Sequence, residues 1–395
     1  MPISPLTITD YTLTNALGRG KQASLDALRG GRSGLKPCDF ENADLQTWIG
    51  RVAGLETLAL EGDLLDYDCR NNRLAMLGLQ QDGFPAAVEA AAARHGPDRI
   101  GVFIGTSTSG IAATEAAYRE RRDDRLPDGF TPEHTHNIAS PCHFVRHYLG
   151  LNGPAIAIST ACSSSAKVFA AAHRYITTGV CDAVVVGGID SLCLTTLYGF
   201  NSLELVSTEP CRPWDETRNG INIGEAAGFA LLQKTSDDQD GPRLLGYGES
   251  SDAYHMSTPH PDGDGALSAM QQALERAGLI ASDIDYINLH GTATRSNDAS
   301  EDRAVCRLFG NHTPCSSTKG FTGHTLGAAG ITEAVFCLLC LEDGLLPQNL
   351  QTKHRDEQLG ANILLQQARA PLSRVLSNSF GFGGNNCSLI FGKAS

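Results

Sequence analysis

The stretch STACSSSAKVFAAAHRYITTG, residues 159–179, sets a lone cysteine, Cys162, between a small-residue strand and a long helix. The strand is PAIAIS (154–159), and the helix is expected over about 162–178. A thiol at a helix N-terminus faces unsatisfied N–H groups and the positive end of the helix dipole. Both favour the thiolate, the reactive form. Ala161 and Ser163 leave room for a carbonyl to approach, and the N–H of Cys162 is placed to donate to an oxyanion. A small hydrophobe buried in a core reads the same way, and this stretch alone does not choose between the two.

The flanking sequence sets the fold around that helix. Short apolar runs alternate with helical stretches: RIGVFIGT (99–106), PAIAIS, and DAVVVGGID (182–190) read as strands. Strands alternating with helices point to an α/β protein with a parallel sheet and helices packed on it. The polar, Gly/Pro-containing segment KTSDDQDGPR (234–243) reads as a linker. After it the pattern resumes with a helix at about 264–277, the strand YINLHG (286–291), a helix at about 298–309 and a long apolar helix at about 326–342. Two closing strands are RVLSNSF (374–380) and NCSLIFG (386–392). Two α/β halves therefore flank the linker, 1–240 and 241–395.

Composition limits the function classes. The chain has 395 residues, 41% hydrophobic and 19% charged, with 42 glycines, which suits a large core and many tight turns. The longest apolar runs fall short of a membrane span. MPISPLTITDYTLTN has neither a basic nor an apolar leader region, which points to a cytoplasmic protein. In that setting the 12 cysteines read as reduced thiols. A net charge of −13 argues against general nucleic-acid binding. Local basic groups remain, Arg70 and Arg73 in CRNNR and Arg119, Arg121 and Arg122 in YRERRDDR. They would recruit an acidic partner or simply form a solvated face.

Three further segments carry candidate chemistry. In NLHGTATRSNDASED (288–302), His290 ends an apolar strand and is followed by the hydroxyls of Thr292 and Thr294. Ligands bind at such strand ends in α/β sheets, although a satisfied core histidine fits too. In SSTKGFTGHTLGAAGITEAVF (316–336), Lys319 and His324 lie in a Gly-rich loop before a helix. Glu333 lies on that helix within reach of Lys319 if the loop folds back, and an ordinary surface loop is the alternative. In SNSFGFGGNN (377–386), Gly381, Gly383 and Gly384 surround Phe380 and Phe382. Glycines there permit positive φ and close backbone approach, so N–H groups are available to an oxyanion, or the segment is a plain turn. Cys337 and Cys340 form a CxxC inside an apolar helix and read as core packing rather than a metal or redox site. No second CxxC, HExxH, GxSxG or phosphate-binding P-loop is present, so no metal site is expected.

Taken in order, TACSSS with Cys162, HGTAT with His290, STKGFTGHTLGAAG with Lys319 and His324, and SNSFGFGGNN with Phe380 and Phe382 resemble the β-ketoacyl-[acyl-carrier-protein] synthases. PCRPWDETRNGINIGEAAG (210–228) and SDAYHMSTP (251–259) extend the resemblance over nearly the whole chain. It implies a thiolase-like α/β fold, two similar halves stacked as five alternating layers, and a dimer built on the nucleophile-bearing half. It also implies a reaction. An acyl group passes from the phosphopantetheine of an acyl carrier protein to Cys162, and decarboxylated malonyl-carrier protein then attacks it. The resemblance gives His290 and His324 to the enolate oxygen and Cys162 and Phe382 N–H to the oxyanion. Lys319 with Glu333 would order the site, Phe382 would gate it, and Thr292, Thr294 and Phe380 would contact the pantetheine arm. No cofactor is implied beyond that arm.

The chain departs from the family's pattern at Arg295, Asn219, Ile221, Asn222 and the polar TSTSG (106–110). These departures leave a polyketide or aryl-polyene pathway open beside fatty-acid synthesis, and a heterodimer with a silent homologue open beside a homodimer. A non-catalytic chain-length subunit would lack the nucleophile. A degradative thiolase would carry a second catalytic cysteine, where this chain has Cys387 on a strand. A priming synthase would carry Asn in place of His324.

Overall fold

The fold is described from a computed structural model covering residues 2–235 and 241–393. Its strands are β1 (Leu6–Asn15), β2 (Ile100–Gly105), β3 (Ala155–Ile158), β4 (Ala183–Asp190), β5 (Ala226–Lys234), β6 (Arg243–Ser251), β7 (Tyr286–Asn288), β8 (Pro314–Ser316), β9 (Asn362–Ile363), β10 (Arg374–Gly381) and β11 (Asn385–Gly392). They lie side by side in the order β9-β8-β7-β10-β11-β6-β1-β5-β4-β2-β3, with the two-residue strand Gly18–Arg19 against β1. The two halves of this long sheet meet where Leu6 pairs with Leu244 and Thr7 with Arg243, between β1 and β6.

Side chains alternate across each half, because successive residues of a strand face opposite sides. In β4, Val184 and Val186 enter a central cluster with Phe169, whereas Ala183 and Val185 enter an outer one with Phe144. In the other half Val375, Leu389 and Phe391 face the centre, and Leu376 and Ile390 face outward beside Met270 and Val305. Among the helices are α1 (Arg70–Leu79), α2 (Phe84–His95), α3 (Ser140–Tyr148), α4 (Ser164–Thr177), α5 (Asp264–Ala277), α6 (Arg295–Phe309) and α7 (Ala329–Asp343). Helices α1–α3 cover the outer face of the first half, and α5 and α6 cover that of the second. Helices α4 and α7 fill the space between and touch strands of both halves. The result is the helix–sheet–helix–sheet–helix layering expected from the resemblance. Cys337 and Cys340 are core residues of α7, exposed by 1% or less.

The sheet is mixed rather than parallel. β2 runs parallel to β3 and β4, but β5 is antiparallel to both β4 and β1. β10 and β11 are antiparallel because only a tight turn joins them, and a parallel pair needs a long crossover. Strand β1 has no counterpart among the sequence expectations. A bulge between Ile8 and Asp10 shifts its phase, so Leu6 and Ile8 and then Tyr11 and Leu13 face the core. Strict alternation is lost, and with it the sequence signature of a strand. Lys234 ends β5 and Arg243 opens β6, so the expected linker ends in paired strands; residues 236–240 lie outside the described residues. No helix among the described residues is long and apolar enough to cross a membrane.

The central helices cross at small residues. A Cβ on Gly330 would lie 2.4 Å from the backbone N of Ala166. At an open helix position Ala is better than Gly by roughly 1 kcal/mol; here overpacking of about 1–3 kcal/mol outweighs that gain. Gly330→Ala is therefore expected to lower the urea midpoint of unfolding. A raised midpoint would contradict the close crossing.

Candidate active site

The chain leaves β3 and turns sharply before α4. Ala161, a non-glycine residue, takes φ 51° at this turn. Ser164 fixes it, accepting from Thr160 N at 2.9 Å and donating to Ala161 O at 2.5 Å. Helix α4 opens at Ser164 rather than at the cysteine, so Cys162 sits in the turn just before it. Its Sγ lies 3.0 Å from His324 Nε2, and the Phe382 N–H points at it. Burial pushes the thiol up to about 11, against the opposing pull of Lys319 and the Phe382 N–H. Burial thus opposes the thiolate that the helix end favours. Full desolvation penalises the charge more than its neighbours favour it.

Two histidines share one electrostatic arrangement. His290 follows β7, and its loop is held by buried Glu301, which accepts from the backbone N of His290 and of Gly291, both at 2.8 Å. Lys319 is only 2% exposed. Its ammonium donates to His290 Nδ1 at 3.2 Å, to the His290 carbonyl and to Glu333 Oε1. His324 is anchored by its backbone, donating to Asn222 O at 2.7 Å and accepting from Gly224 N at 2.9 Å. Its Nδ1 accepts from Leu326 N at 3.2 Å. Both Nδ1 atoms thus face donors, and a neutral imidazole in that position carries its proton on Nε2. Burial, reinforced by Lys319, holds both imidazoles well below the ordinary histidine pKa. Burial also raises the Glu333 carboxyl despite Lys319 beside it, and Glu333 Oε2 has no hydrogen-bond partner.

The donor set resembles a soft-metal site, since Sγ and one nitrogen from each ring lie within 4.8 Å of one another. The surrounding polarity is wrong for one. A ligating imidazole turns its other N–H toward an acceptor, whereas here Lys319 and Leu326 present donors. The arrangement suits donation of two Nε2–H groups into the site.

These groups open on a narrow cleft of about 50 Å³ lined by Cys162, His290, His324, Thr292, Thr294 and Phe382 among others. Thr292 and Thr294 hydroxyls lie 2.9 Å apart, and Thr294 also caps α6 by accepting from Asn297 N at 3.3 Å. Phe380 is nearly buried, its ring 6.0 Å from that of His290. Phe382 is half-buried and packs on Phe200 at 5.5 Å. Gly381 is needed where the loop passes the nucleophile, because a Cβ there would lie 2.8 Å from Thr160 O and 3.2 Å from Cys162 N. The sequence candidates Cys162, His290, Thr292, Thr294, Lys319, His324, Glu333, Phe380 and Phe382 therefore lie around one cleft, with Lys319 and Glu333 just behind it.

The N-terminal domain of beta-ketoacyl synthase matches residues 75–238, and the C-terminal domain matches 243–353. The chain belongs to the β-ketoacyl synthase family. It is 33% identical to 3-oxoacyl-[acyl-carrier-protein] synthase 2 of Vibrio cholerae, over 98% of each chain. It is 38% identical to the enzyme of the same name from Rhizobium meliloti, over 73% of each. Among solved structures it is similar to the ketosynthase ApeO in complex with its chain length factor ApeC from Xenorhabdus doucetiae. That match has a TM-score of 0.89 and 38% identity, over 99% of this chain and 98% of that one.

The structure also accounts for where this β-ketoacyl synthase departs from the family's pattern. Asn222 is fully buried and satisfied, accepting from Cys211 N at 2.6 Å and donating to Glu209 O at 3.2 Å. Asn219 accepts from Ser207 Oγ at 2.6 Å, and Ile221 lines the cleft. Arg295 reaches Glu216 O at 3.2 Å. Arg70 and Arg73 do not form a free basic patch: Arg70 pairs with buried Glu225 at 2.6 Å and Arg73 with Asp68 at 2.5 Å. Three buried residues that organise the site, Glu301, Asn222 and Asp190, were not singled out as site residues. Asp190 carried a signal, ending the strand DAVVVGGID where α/β sites gather.

The raised thiol gives a direct prediction. Iodoacetamide alkylation of Cys162 is expected to keep rising through pH 9, about tenfold per pH unit, because the thiolate fraction is still far from saturation. A plateau reached by about pH 8 would show a preformed thiolate.

Proposed function

We propose that this chain is an elongating β-ketoacyl-acyl-carrier-protein synthase, and the observation that carries the reading is the pair of Nε2–H groups beside the Cys162 sulfur. In the first half-reaction the Cys162 sulfur attacks the thioester of an acyl-carrier protein. The acyl group bonds to Sγ, and the thiol proton leaves with the pantetheine sulfur. The transient oxyanion is held by the N–H groups of Cys162 and Phe382. Malonyl-carrier protein then enters and loses CO2. The enolate oxygen accepts hydrogen bonds from His290 and His324, and its carbon attacks the Cys162 thioester. Collapse expels the Cys162 sulfur, which takes up one proton, and releases the β-ketoacyl-carrier protein.

Neutral imidazoles suit this role because they donate to a developing oxyanion without first transferring a proton. Lys319 with Glu333 fixes their polarity. Thr292, Thr294 and Phe380 form the wall along which the pantetheine arm lies, and Phe382, at the glycine turn, moves to admit the second substrate. The halves 1–240 and 241–395 meet at this cleft. The site uses no cofactor other than the carrier's arm, and the protein works in the cytoplasm.

The partner is an acyl carrier protein, together with a second subunit. Strand β3 ends the sheet, and all four of its residues are half-buried, as an edge that a second subunit would extend. The similarity to ApeO, a ketosynthase in complex with its chain length factor, favours a heterodimer and a polyketide-type or aryl-polyene product over housekeeping fatty acid. The alternative of a silent chain-length subunit is disfavoured by the complete set of Cys162, His290, Lys319 and His324.

Intact-mass spectrometry tests the reading. Incubation with saturated, unsaturated and aryl-primed carrier proteins, with and without a chain-length partner, is expected to add one acyl mass to the wild type and none to Cys162→Ala. His324→Ala is expected to lower condensation by roughly 10²- to 10³-fold, the effect of removing one oxyanion donor. Absence of an adduct with every donor, with and without the partner, would refute the elongating assignment.

A further inference from the structure

Asp190 ends β4 with its carboxylate fully buried, and it receives six hydrogen-bond donors. Oδ1 accepts from Thr106 Oγ1 at 2.7 Å, Ser107 N at 2.8 Å, and Thr108 N and Oγ1, both at 2.9 Å. Oδ2 accepts from the Ser107 hydroxyl and from Gly327 N at 2.6 Å. The polar TSTSG segment, a departure from the family's pattern, is thereby explained. Thr106, Ser107 and Thr108 turn their hydroxyls to Asp190, and Ser109 turns its own to the carbonyls of Thr135 and Asn137.

Gly327 belongs to the turn that carries His324. Leu326, just before it, holds φ at 52°, a conformation disfavoured for a branched side chain, and its N–H is the donor to His324 Nδ1. Such a turn persists only when its surroundings hold it. A Cβ on Gly327 would lie 2.8 Å from Asp190 Oδ2 and 2.7 Å from Ser107 N, so nothing larger than glycine lets the turn approach.

We propose that Asp190 is a positioning residue for the decarboxylation half-reaction: it clamps the Leu326–Gly327 turn so that the Leu326 N–H fixes the His324 tautomer and aims its Nε2–H into the cleft. This rests on the elongating-synthase reading for the role of His324. The clamp joins the ends of β2 and β4 to the segment ahead of α7. Its hydrogen bonds hold the His324 turn and not that of the nucleophile, which Ser164 holds separately; toward Cys162 the Asp190 charge adds only a minor upward push on the thiol, behind burial.

Asp190→Asn keeps the shape and the Oδ1 bonds but sets an NH2 group against the Gly327 N–H. The expected result is a fall of at least 30-fold in kcat for malonyl-carrier-protein decarboxylation, with KM within threefold of wild type, since small displacements of a catalytic group cost large factors. The rate of Cys162 alkylation should stay within threefold of wild type. Unchanged decarboxylation, or decarboxylation and alkylation falling together, would overturn the proposal. Ser107→Ala, which deletes one hydroxyl with its bond to Asp190 and its 3.3 Å contact from Gly327 N, and leaves every backbone bond to Asp190, is the milder variant. It is expected to lower decarboxylation kcat by at least threefold without altering alkylation, and no change would count against the clamp. Hydrogen–deuterium exchange needs no substrate. The segment 322–330 is expected to exchange at least tenfold faster in Asp190→Asn, with 162–177 unchanged, and equal exchange would refute the clamp. If wild type fails to decarboxylate malonyl-carrier protein, the elongating reading fails, and the exchange result still decides the clamp.

Discussion

The buried ammonium of Lys319 is the constraint around which the site is organised. An unpaired charge at this depth would be strongly unfavourable. It is met by the Glu333 carboxylate, the His290 carbonyl and the His290 Nδ1 lone pair. Each partner has a consequence. Glu333 ties the site to central helix α7, and occupation of Nδ1 leaves His290 only one place for its proton. The positive charge discourages protonation of either imidazole and pulls the Cys162 thiol down against burial. One cation thus fixes a tautomer, keeps two rings neutral and tempers the nucleophile, while staying behind the cleft.

The fold brings these groups together at the ends of its central layer. Cys162 stands ahead of α4, His324 ahead of α7, His290 beyond β7 and Phe382 in the turn between β10 and β11. Ser165 Oγ accepts from Ile331 N at 3.0 Å, and Gly330 rests on Ala166, so the two central helices are locked where the catalytic turns begin. Because close-packed helices do not slide continuously, the spacing between the sulfur and the imidazoles is a property of the core as much as of the site.

Much of this was legible in the sequence. The strands around Cys162 follow from their apolar runs, the nine candidate residues lie in short motifs, and the layer order came with the family resemblance those motifs carry. Other features were hidden for physical reasons. Strand β1 hid behind a bulge that breaks its period. The mixed sheet depends on connections whose direction side-chain patterns do not encode. The protonation of Cys162 was misread because a helix terminus is visible in a sequence and full desolvation is not. The hydroxyls of TSTSG were visible, but their partner Asp190 lies more than eighty positions away and their direction is a tertiary fact. Glu301 and Asn222 were equally visible letters whose work is done on backbone N–H groups, which no sequence pattern marks.

Burial and the Lys319 charge hold His290 and His324 neutral, and donors on both Nδ1 atoms place the proton on Nε2. Long-range proton–nitrogen spectra of protein carrying nitrogen-15-labelled histidine, assigned by substituting each ring in turn, report that state directly. Both rings are expected to stay as neutral Nε2–H tautomers from about pH 8 down to about pH 6, where an unperturbed histidine is already largely charged. An imidazolium signal in that range, or a proton on Nδ1 of either ring, would contradict it.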